Sequence, residues 1–384
     1  MSFTLLATDP CSKARRGRLV LSHGTVETPV FMPVGTQGSV KAMSPRELEE
    51  LGAQMVLGNT YHLNLRPGME VIRQFRSLHR FSNWSRPILT DSGGYQVFSL
   101  SGLRKITEAG VHFQSHLDGS TLFLGPEESM QIQAGLGSDI AMLFDECTPY
   151  PCPEDQAEQS LALTLRWAVR CRDWISEHRP KTDAGGLQQH FGIVQGSIYA
   201  ELRERSARAL AALDLDGYAI GGMSVGEPEA EMFRAVENSE PFLPSHKPRY
   251  AMGLGTPRQL VEMVARGVDM FDCVIPTRLA RHGTAFTHDG PLNLKNQRFL
   301  ADPDPIEPGC ECHACQGFSR AYIRHLFRAG EILGLRLIAM HNLHFYLNLM
   351  RRIRAALDAG TFNDFRTAFV SRYPSQSNNP SHPP

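Results

Sequence analysis

The chain has 384 residues, of which 42% are hydrophobic and 21% charged, and its formal net charge is −1. This is ordinary globular usage with enough apolar residues for a sizeable core. No apolar run reaches the roughly eighteen residues of a membrane span, and Met1 to Arg18 has no apolar run like that of a secretory signal, so we expect a cytoplasmic protein without membrane association.

Short apolar runs rich in β-forming residues recur along the chain, and each closes on a turn that contains Gly, Asp or Thr. Segments with helical periodicity and helix-start signals, such as Ser44-Pro45-Arg46-Glu47, lie between most of them. Alternating strands and helices predict a parallel sheet, and eight such units favour a closed (β/α)8 TIM barrel, forming a single domain over residues 1–373. The predicted strands are Thr28–Val34, Gln54–Leu57, Pro87–Thr90, Asp139–Phe144, Phe191–Val194, Gly217–Ile220, Arg249–Gly253 and Met270–Ile275.

Two segments interrupt the alternation. After the third strand, Val111 to Leu124 alternates around Asp118-Gly119, which predicts a β insertion. After the eighth strand, a second insertion over residues 284–345 combines a β-like stretch, a Pro-rich loop and a cysteine cluster before helical sequence resumes near Ser319. The polar, Pro-rich residues 374–384 predict a disordered tail.

The cysteine cluster predicts a metal site. Cys310, Cys312 and Cys315 present three thiols within six residues, a spacing that favours metal binding over disulfides in a reducing compartment. His341 is the preferred fourth ligand, although His313 and His344 are also near. Three Cys and one His would close a tetrahedral Zn²⁺ shell with no open position, so we expect one structural zinc per subunit.

Acid and amide side chains follow several predicted strands: Asp91 after the third, Asp145 with Glu146 after the fourth, Gln195 after the fifth and Asp272 within the eighth. In a β/α barrel the carboxyl ends of the strands meet at one face, where the chemistry takes place, so we expect these groups to converge. Glycine turns such as Gly221-Gly222 would let backbone groups approach a flat ligand closely.

Two or three carboxylates beside a base-sized pocket suit the cleavage of a glycosidic bond. One carboxylate attacks the sugar C1′ atom and forms a covalent intermediate, while another manages the proton. An anionic partner is compatible with the charge distribution, because the segment from Arg278 onward carries thirteen Lys or Arg and eight Asp or Glu residues.

The residues around these positions resemble the tRNA-guanine transglycosylases, also called queuine tRNA-ribosyltransferases, and specifically the bacterial form. The resemblance runs from about Phe3 to Tyr373 and includes the cysteine cluster with His341. Its most specific stretches are Leu57-Gly58-Asn59-Thr60-Tyr61-His62-Leu63, Thr90-Asp91-Ser92-Gly93-Gly94-Tyr95-Gln96-Val97-Phe98, Phe144-Asp145-Glu146-Cys147-Thr148-Pro149-Tyr150-Pro151, Gly192-Ile193-Val194-Gln195-Gly196, Gly217-Tyr218-Ala219-Ile220-Gly221-Gly222 and Met270-Phe271-Asp272-Cys273-Val274-Ile275-Pro276-Thr277-Arg278.

The resemblance implies a double displacement that exchanges guanine at the wobble position of GUN anticodons for preQ1 (7-aminomethyl-7-deazaguanine) in queuosine biosynthesis. Asp272 would be the nucleophile that forms a covalent ribosyl enzyme, and Asp91 the general acid and base. Other roles implied by the resemblance are base-edge recognition by Asp145, Gln195 and the Gly222 amide, acceptance of the preQ1 amine by the Met223 carbonyl, stacking by Tyr95 and Met252, and contacts to the anticodon stem-loop by Arg278 and Arg281.

The resemblance further implies a homodimer that holds one tRNA. Met223 and Ser197 stand where Leu and Gly are expected, and Gln37-Gly38 occupies a loop where an aromatic residue is common. These departures affect expected substrate preference rather than the reaction, while Cys147 and Val225 agree with the bacterial pocket.

The sequence disfavours two other functions. A barrel hydrolase or lyase with catalytic zinc is disfavoured by the closed Cys3His shell. A non-catalytic subunit of a two-chain transglycosylase is disfavoured because both Asp91 and Asp272 are present.

Overall fold

The computed structural model describes residues 2–100 and 104–373. Strands and helices alternate through most of this length. The strands are β1 (Ser2–Thr8), β2 (Arg15–Leu21), β3 (Gly24–Thr28), β4 (Val30–Gly35), β5 (Val56–Gly58), β6 (Ile88–Thr90), β7 (Arg104–Ile106), β8 (Val111–Gln114), β9 (Thr121–Leu124), β10 (Ile140–Met142), β11 (Gln189–Val194), β12 (Gly217–Ile220), β13 (Arg249–Ala251), β14 (Met270–Cys273), β15 (Thr284–Thr287) and β16 (Gly290–Asn293).

The α-helices are α1 (Pro45–Glu50), α2 (Thr60–Leu63), α3 (Met69–Gln74), α4 (Leu78–Ser82), α5 (Gly94–Leu100), α6 (Pro126–Leu136), α7 (Glu154–His178), α8 (Ala200–Ala211), α9 (Glu229–Glu237), α10 (Pro257–Ala265), α11 (Ile275–Ala280), α12 (His313–Gly317), α13 (Arg320–Ala329), α14 (Ile332–Asp358) and α15 (Phe362–Arg372). A π-helical segment over Asn64–Gly68 and 3-10 turns at Glu240–Phe242 and Gln297–Phe299 complete them. Start signals visible in the sequence are used: Ser44 and Thr256 each form a capping box, and Pro occupies the first position of α1 and α10.

Eight parallel strands close into a barrel in the order β4, β5, β6, β10, β11, β12, β13 and β14. The last strand pairs with the first, with Met270 opposite Val30, so the sheet has no open edge. Each barrel strand overlaps a run predicted from the sequence, and the predicted (β/α)8 barrel is confirmed. Because all barrel strands are parallel, their carboxyl ends lie at one face of the molecule.

A three-stranded antiparallel sheet, β1-β2-β3, precedes the barrel and was not predicted. Leu19 and Val26 from this sheet belong to the same buried cluster as the barrel residues Val30 and Met270. Val30 and Met270 lie at the starts of their strands, so the sheet covers the amino-terminal end of the barrel. The opposite, carboxyl-terminal end is left for the loops that carry the acid and amide side chains.

The two predicted insertions both contain β structure. Val111 to Leu124 forms the hairpin β8–β9, as predicted, and β7 adds a third antiparallel strand to it. Gly119 in the hairpin turn has φ +73°, a conformation that favours glycine. After the barrel, the hairpin β15–β16 and helices α12 and α13 lead into the 27-residue helix α14.

Helix α14 runs past residue 345 and packs against the barrel. The Tyr346 ring lies 4.9 Å from the Phe31 ring of β4, and Asn342 accepts a 2.9 Å hydrogen bond from the Phe286 backbone of β15. The same helix therefore connects the second insertion to the barrel wall. In the described ranges, no helix combines the length and apolarity needed to cross a membrane. The predicted tail, residues 374–384, lies outside the described residues.

Candidate active site and metal centre

Three of the carboxylates predicted to converge lie buried at the carboxyl ends of barrel strands. Asp91 directly follows β6, Asp145 follows β10 by three residues, and Asp272 is the third residue of β14. Each is less than 9% exposed. A carboxylate in such surroundings loses hydration, which disfavours its charged form and leaves it reactive toward protons and electrophiles.

Asp272 is held by two neutral donors from the neighbouring strand and its loop. The Tyr250 hydroxyl donates to Asp272 Oδ1 at 2.5 Å, and the Gly253 amide donates to the same oxygen at 2.8 Å. Burial raises the pKa of Asp272, while the hydrogen bonds from Tyr250 and Gly253 oppose that shift. Both donors fix the orientation of the carboxylate through one oxygen, as a positioned nucleophile requires.

Asp91 is held in a similar way by the residues after β5. The Thr60 amide donates to Asp91 Oδ1 at 2.9 Å, and the Asn59 side-chain amide donates to Oδ2. Burial raises the pKa of Asp91 to about 7, the hydrogen bonds from Thr60 and Asn59 oppose this, and the charge of Asp272 adds to it. A carboxyl group with a pKa near 7 can both give and take a proton at neutral pH.

Asp145 and Gln195 form one hydrogen-bonded unit. Gln195 Nε2 donates to Asp145 Oδ2 at 2.7 Å, and the Ser92 hydroxyl donates to Oδ1 at 2.8 Å. A Cβ atom on Gly222 would lie 2.4 Å from Gln195 Oε1, and one on Gly94 would lie 2.4 Å from the Asp145 carbonyl. The backbone contact requires glycine at position 94, and the positive φ of +61° favours it at position 222. The amide, the carboxylate and the Gly222 backbone lie together.

Arg203 is a site residue that the sequence reasoning missed. This fully buried side chain on α8 donates to the carbonyls of Gly221 at 2.7 Å, Gly222 at 3.1 Å and Ser197 at 2.7 Å. It thereby joins the turns after β11 and β12. Its only sequence signal is an arginine beside Leu202, Ser206 and Leu210 on the buried face of an amphipathic helix.

The other predicted pocket residues surround this unit. Met252 is partly buried, and its sulfur would lie 3.7 Å from a Cβ on Gly221. Met223 is buried. Burial raises the pKa of the Cys147 thiol to about 12, and the nearby Asp145 charge adds to this shift. Tyr95 is 46% exposed. Partial burial raises the pKa of its hydroxyl, Cys147 raises it further, and Arg278 opposes the shift. Cys147 and Arg278 therefore lie within electrostatic range of the Tyr95 hydroxyl.

Arg278 and Arg281 lie on or directly after α11, the short helix that follows Asp272. Both side chains are exposed. Arg281 donates a 3.3 Å hydrogen bond to the Thr277 carbonyl, and the charge of Arg278 opposes the raised pKa of Tyr95. The two cations therefore follow β14 at the carboxyl-terminal end of the barrel.

The Cys3His cluster is brought together as predicted. The ligand atoms of Cys310, Cys312, Cys315 and His341 all lie within 4.8 Å of one another. His341 Nδ1 is 3.3 to 3.8 Å from the three sulfurs, and Nε2 is 2.6 Å from the Phe286 carbonyl. A carbonyl acceptor on the far nitrogen is the usual partner of a metal-binding imidazole, so the four residues fit a tetrahedral metal ion.

The two alternative histidines are not part of this group. The His313 ring packs edge to face against Phe318. His344 reaches Cys310 but is not among the four residues whose ligand atoms are mutually close. The cluster lies in the second insertion, and none of its four ligands is one of the pocket carboxylates. It is therefore a candidate structural metal centre.

A second group of polar ligands lies at the amino-terminal end of the barrel. His23, His79 and Asp183 have ligand atoms within 4.8 Å of one another. The two imidazole rings stack with centroids 3.7 Å apart and 15° between planes, and both hydrogen-bond to Asp139. Imidazole binds metal in the ring plane, so two parallel stacked rings cannot both direct a nitrogen at one ion. This group is an ionic cluster.

Fold and site together define a (β/α)8-barrel protein with a carboxylate pocket at the carboxyl face of its barrel and a separate Cys3His centre. The family model described as queuine tRNA-ribosyltransferase matches residues 9–375. The chain belongs to that family, and the resemblance inferred from its motifs is confirmed.

Curated relatives carry the same description. A queuine tRNA-ribosyltransferase from Symbiobacterium thermophilum is 56% identical over 369 residues, which cover 96% of this chain and 90% of the relative. The protein of that name from Thiobacillus denitrificans is 56% identical over 369 residues, covering 96% and 98%. That from Pelotomaculum thermopropionicum is 55% identical over 373 residues, covering 97% and 99%. The similarity therefore spans barrel, pocket and cysteine cluster together.

Proposed function

We propose that the protein is a tRNA-guanine transglycosylase that replaces guanine at the wobble position of GUN anticodons by preQ1 in queuosine biosynthesis. The observation that carries this proposal is the pair of buried carboxylates Asp272 and Asp91 at the carboxyl end of the barrel, both held by neutral hydrogen-bond donors. Membership in the queuine tRNA-ribosyltransferase family supports the reaction class.

In the first half of the reaction, an oxygen of Asp272 attacks C1′ of the target ribose. The C1′–N9 bond breaks, the electron pair leaves with guanine, and protonated Asp91 supplies the proton that neutralises it. The product is a ribosyl ester of Asp272. The donors Tyr250 and Gly253, both on Oδ1, hold the carboxylate in place during the attack.

In the second half, preQ1 occupies the vacated pocket and its ring nitrogen attacks C1′. Asp91, now ionised, accepts the proton of that nitrogen, and the ester bond to Asp272 breaks. The same group thus acts as acid and then as base, which is efficient only when its pKa lies near the working pH. The pKa of about 7 for Asp91 meets this requirement.

Recognition of the base falls to the unit of Asp145, Gln195 and the Gly222 amide. The Asp145 carboxylate accepts from donors on the base edge, and the amides of Gln195 and Gly222 complete the pattern. Tyr95 and Met252 stack on the two faces of the base, which offsets the cost of removing it from the anticodon stack, a few kcal/mol.

The remaining contacts of the pocket concern preQ1 and its fit. The Met223 carbonyl accepts from the aminomethyl group of preQ1, and Cys147 lines the base pocket. Both residues are buried beside the turns that Arg203 holds.

We assign three further properties on the same basis. Arg278 and Arg281 contact the backbone of the anticodon stem-loop. The Cys3His centre holds one structural Zn²⁺ per subunit, with thiolate and imidazole ligands that suit this ion. The protein acts in the cytoplasm as a homodimer in which one subunit holds the tRNA and the other steadies it. Sedimentation with and without a tRNA tests the last assignment, since a monomeric complex contradicts it.

The decisive experiment measures exchange of radiolabelled guanine into an RNA hairpin with a GUN anticodon, with preQ1 as competitor. We expect exchange by the wild type, inhibition by preQ1 and a covalent RNA adduct on denaturing gels. Asp272→Asn should abolish the adduct and reduce exchange by about 10⁴-fold or more. Asp173→Asn, a change of the same kind on the exposed face of α7, is the control. Exchange at the wild-type rate by Asp272→Asn refutes the assignment.

Metal removal separates the proposal from a barrel hydrolase that uses zinc chemically. A structural ion stabilises the fold, so chelation should unfold the second insertion and α14 together with any loss of activity. Circular dichroism and zinc content, followed during chelation, measure both. Loss of activity from a fully folded protein would instead favour a catalytic metal.

A further inference from the structure

The loops at the carboxyl end of the barrel differ in charge from one side to the other. Lys and Arg are absent from the loops that link β10 to α7, β11 to α8 and β12 to α9, and acids occur there instead. These acids are Asp145, Glu146 and Glu227, with Glu154, Glu201 and Glu229 in the first turns of the helices that follow.

Basic residues occupy the other side. Arg278 and Arg281 follow β14, Lys41 follows β4, and His62 follows β5, while His116 lies in the turn of the insertion after β6. Because β14 pairs with β4, β4 with β5 and β5 with β6, the segments after these strands are neighbours around the barrel. We call this set of five residues the basic arc. A polyanion approaching the pocket is attracted to it and repelled by the acidic side.

The middle of the basic arc is a pair of histidines. The His62 and His116 rings meet edge to face with centroids 5.3 Å apart. Tyr61 fixes His116, because its hydroxyl lies 2.8 Å from His116 Nδ1. This hydrogen bond occupies Nδ1 within the protein and leaves Nε2 of the exposed His116 ring for a ligand.

The surroundings of His62 favour an anion beside it. Burial lowers the pKa of His62, and the nearby positive charges of His116 and Lys41 lower it further. Asp118 lies in the same turn as His116, but its carboxylate is engaged with Ser120 inside that turn. A phosphate bound beside the pair, at the nitrogen atoms of the two rings, would offset these charges and would accept a hydrogen bond from each imidazole.

The two histidines are also linked to the residues that hold Asp91. His62 comes two residues after Thr60, whose amide holds Asp91, and Tyr61 links the same turn to His116. We propose, on the basis of the transglycosylase function above, that the RNA chain crosses the mouth along the basic arc and that the His62–His116 pair binds a phosphate adjacent to the reacting nucleotide.

The test is the salt dependence of RNA binding. Each phosphate contact of a single strand contributes about 0.7 to the slope of log K against log salt concentration. An adjacent phosphate favours the charged form of an imidazole, so we expect His62→Gln with His116→Gln to weaken binding of a GUN hairpin roughly tenfold and to reduce the slope by about 0.7. The affinity for free guanine should stay unchanged.

Two variants control this experiment. His246→Gln removes an exposed histidine just before β13, at the amino-terminal side of the barrel, and should leave affinity and slope as in the wild type. Tyr61→Phe removes the hydrogen bond to His116 but no charge, so any loss of affinity should occur without a change in slope. A double histidine variant that behaves like Tyr61→Phe overturns the phosphate contact and leaves only a structural role.

The transglycosylase function is tested by the wild-type protein rather than by the histidine variants. The wild type must bind the hairpin and exchange guanine into it for the transglycosylase function to stand. If it does so while the double histidine variant keeps the wild-type salt slope, the function holds and the placement of the RNA is wrong. If the wild type neither binds nor exchanges, both proposals fail.

Discussion

Buried aspartates occur at both ends of the barrel, and their partners differ. At the amino-terminal end, Asp139 accepts from His23 and His79, and its carboxylate also accepts from the Ile88 backbone amide at the start of β6. Asp269, just before β14, accepts from Arg15 and from the Arg249 amide. These carboxylates have cationic partners and hold the beginnings of strands together.

At the carboxyl end, the carboxylates that follow the strands have neutral donors. Asp91 is bound by Asn59 and Thr60, and Asp272 by Tyr250 and Gly253. The pKa values differ accordingly. At Asp139, burial alone would raise the pKa, but the hydrogen bonds from the two histidines outweigh it and lower the pKa. At Asp91, burial prevails and raises the pKa to about 7.

The same residue type therefore stabilises the fold at one end and is kept reactive at the other. A paired buried carboxylate contributes to stability, because removing it leaves its cations unpaired. An unpaired buried carboxylate costs stability and is retained where it serves chemistry. The two ends should consequently respond in opposite ways to the loss of an aspartate charge.

The largest expected effect is on turnover, from Asp91→Asn. The side chain can no longer transfer a proton, so exchange of guanine should slow by about 10² to 10⁴-fold, while the free energy of unfolding should not fall at neutral pH. Steady-state exchange and urea unfolding measure the two quantities. A large loss of stability with normal turnover would show that Asp91 resembles the amino-terminal carboxylates.

Asp139→Asn should have the opposite profile. It removes the charge shared by His23 and His79 and weakens a link between β10 and the start of β6, so the free energy of unfolding should fall by about 3 to 5 kcal/mol. Exchange per folded molecule should remain normal, because the change lies at the far end of the barrel. Asp173→Asn on α7 serves as the exposed control, and equal stability of the two variants would contradict the comparison.

The pH dependence of stability should also separate the two ends. Between the ordinary pKa of 3.8 and the folded-state pKa of about 7, the unfolded chain releases the Asp91 proton while the folded protein retains it. Stability must therefore fall as pH rises through this window, by at most about 1.4 kcal/mol per pH unit. The difference in unfolding free energy between Asp91→Asn and the wild type should grow from pH 4 to pH 7.

Asp139 should act with the reverse sign. Its folded pKa is lowered, so its contribution is present above the ordinary pKa and is lost as pH falls below it. The pKa of His23 is raised, because its hydrogen bonds and the charges of Asp139 and Asp183 outweigh burial, so its contribution is lost as pH rises through the folded value. An Asp139→Asn deficit that vanishes under acid conditions and is largest near pH 5 to 6 agrees with this account.

The barrel was predictable from the sequence because its signals are local. Each barrel strand is a short apolar run buried on both sides, and turns and capped helices separate the runs, so pattern alone gives the alternation. Convergence of Asp91, Asp145 and Asp272 then follows from barrel geometry. The cysteine spacing gave three ligands, and His341 followed from its position on a predicted helix.

The amino-terminal sheet was missed because its pattern misleads. In β1, Leu5 and Leu6 are both more than a third exposed, and in β2 the charged residues Arg15 and Arg16 are buried. Arg15 pairs with Asp269, which is 254 residues away in sequence. An arginine buried by a distant partner is indistinguishable in sequence from one on the surface.

Arg203 and Tyr250 were missed for a related reason. Their roles depend on contacts with the Gly221 carbonyl and the Asp272 carboxylate, which belong to other barrel units. Residues that act directly on a ligand can be predicted from their residue type and from their position at strand ends. Residues that orient these groups lie inside helices and strands among apolar neighbours, so the sequence pattern does not distinguish them from core residues.

The smallest effect that still distinguishes the two ends is expected from Gly222→Ala. The added Cβ would lie 2.4 Å from Gln195 Oε1, and the backbone at φ +61° disfavours a side chain. Gln195 must then move away from Asp145, so the affinity for guanine should fall by about tenfold, or about 1.4 kcal/mol, while the affinity for RNA outside the pocket is unaffected. Gly226→Ala, with φ +122° but nothing within 4 Å of the new atom, carries the backbone strain without the steric conflict. Equal losses of guanine affinity in the two variants would mean that strain in the loop after β12, rather than displacement of Gln195, changes the pocket. The hydrogen bond between Gln195 and Asp145 would then not determine how the base binds.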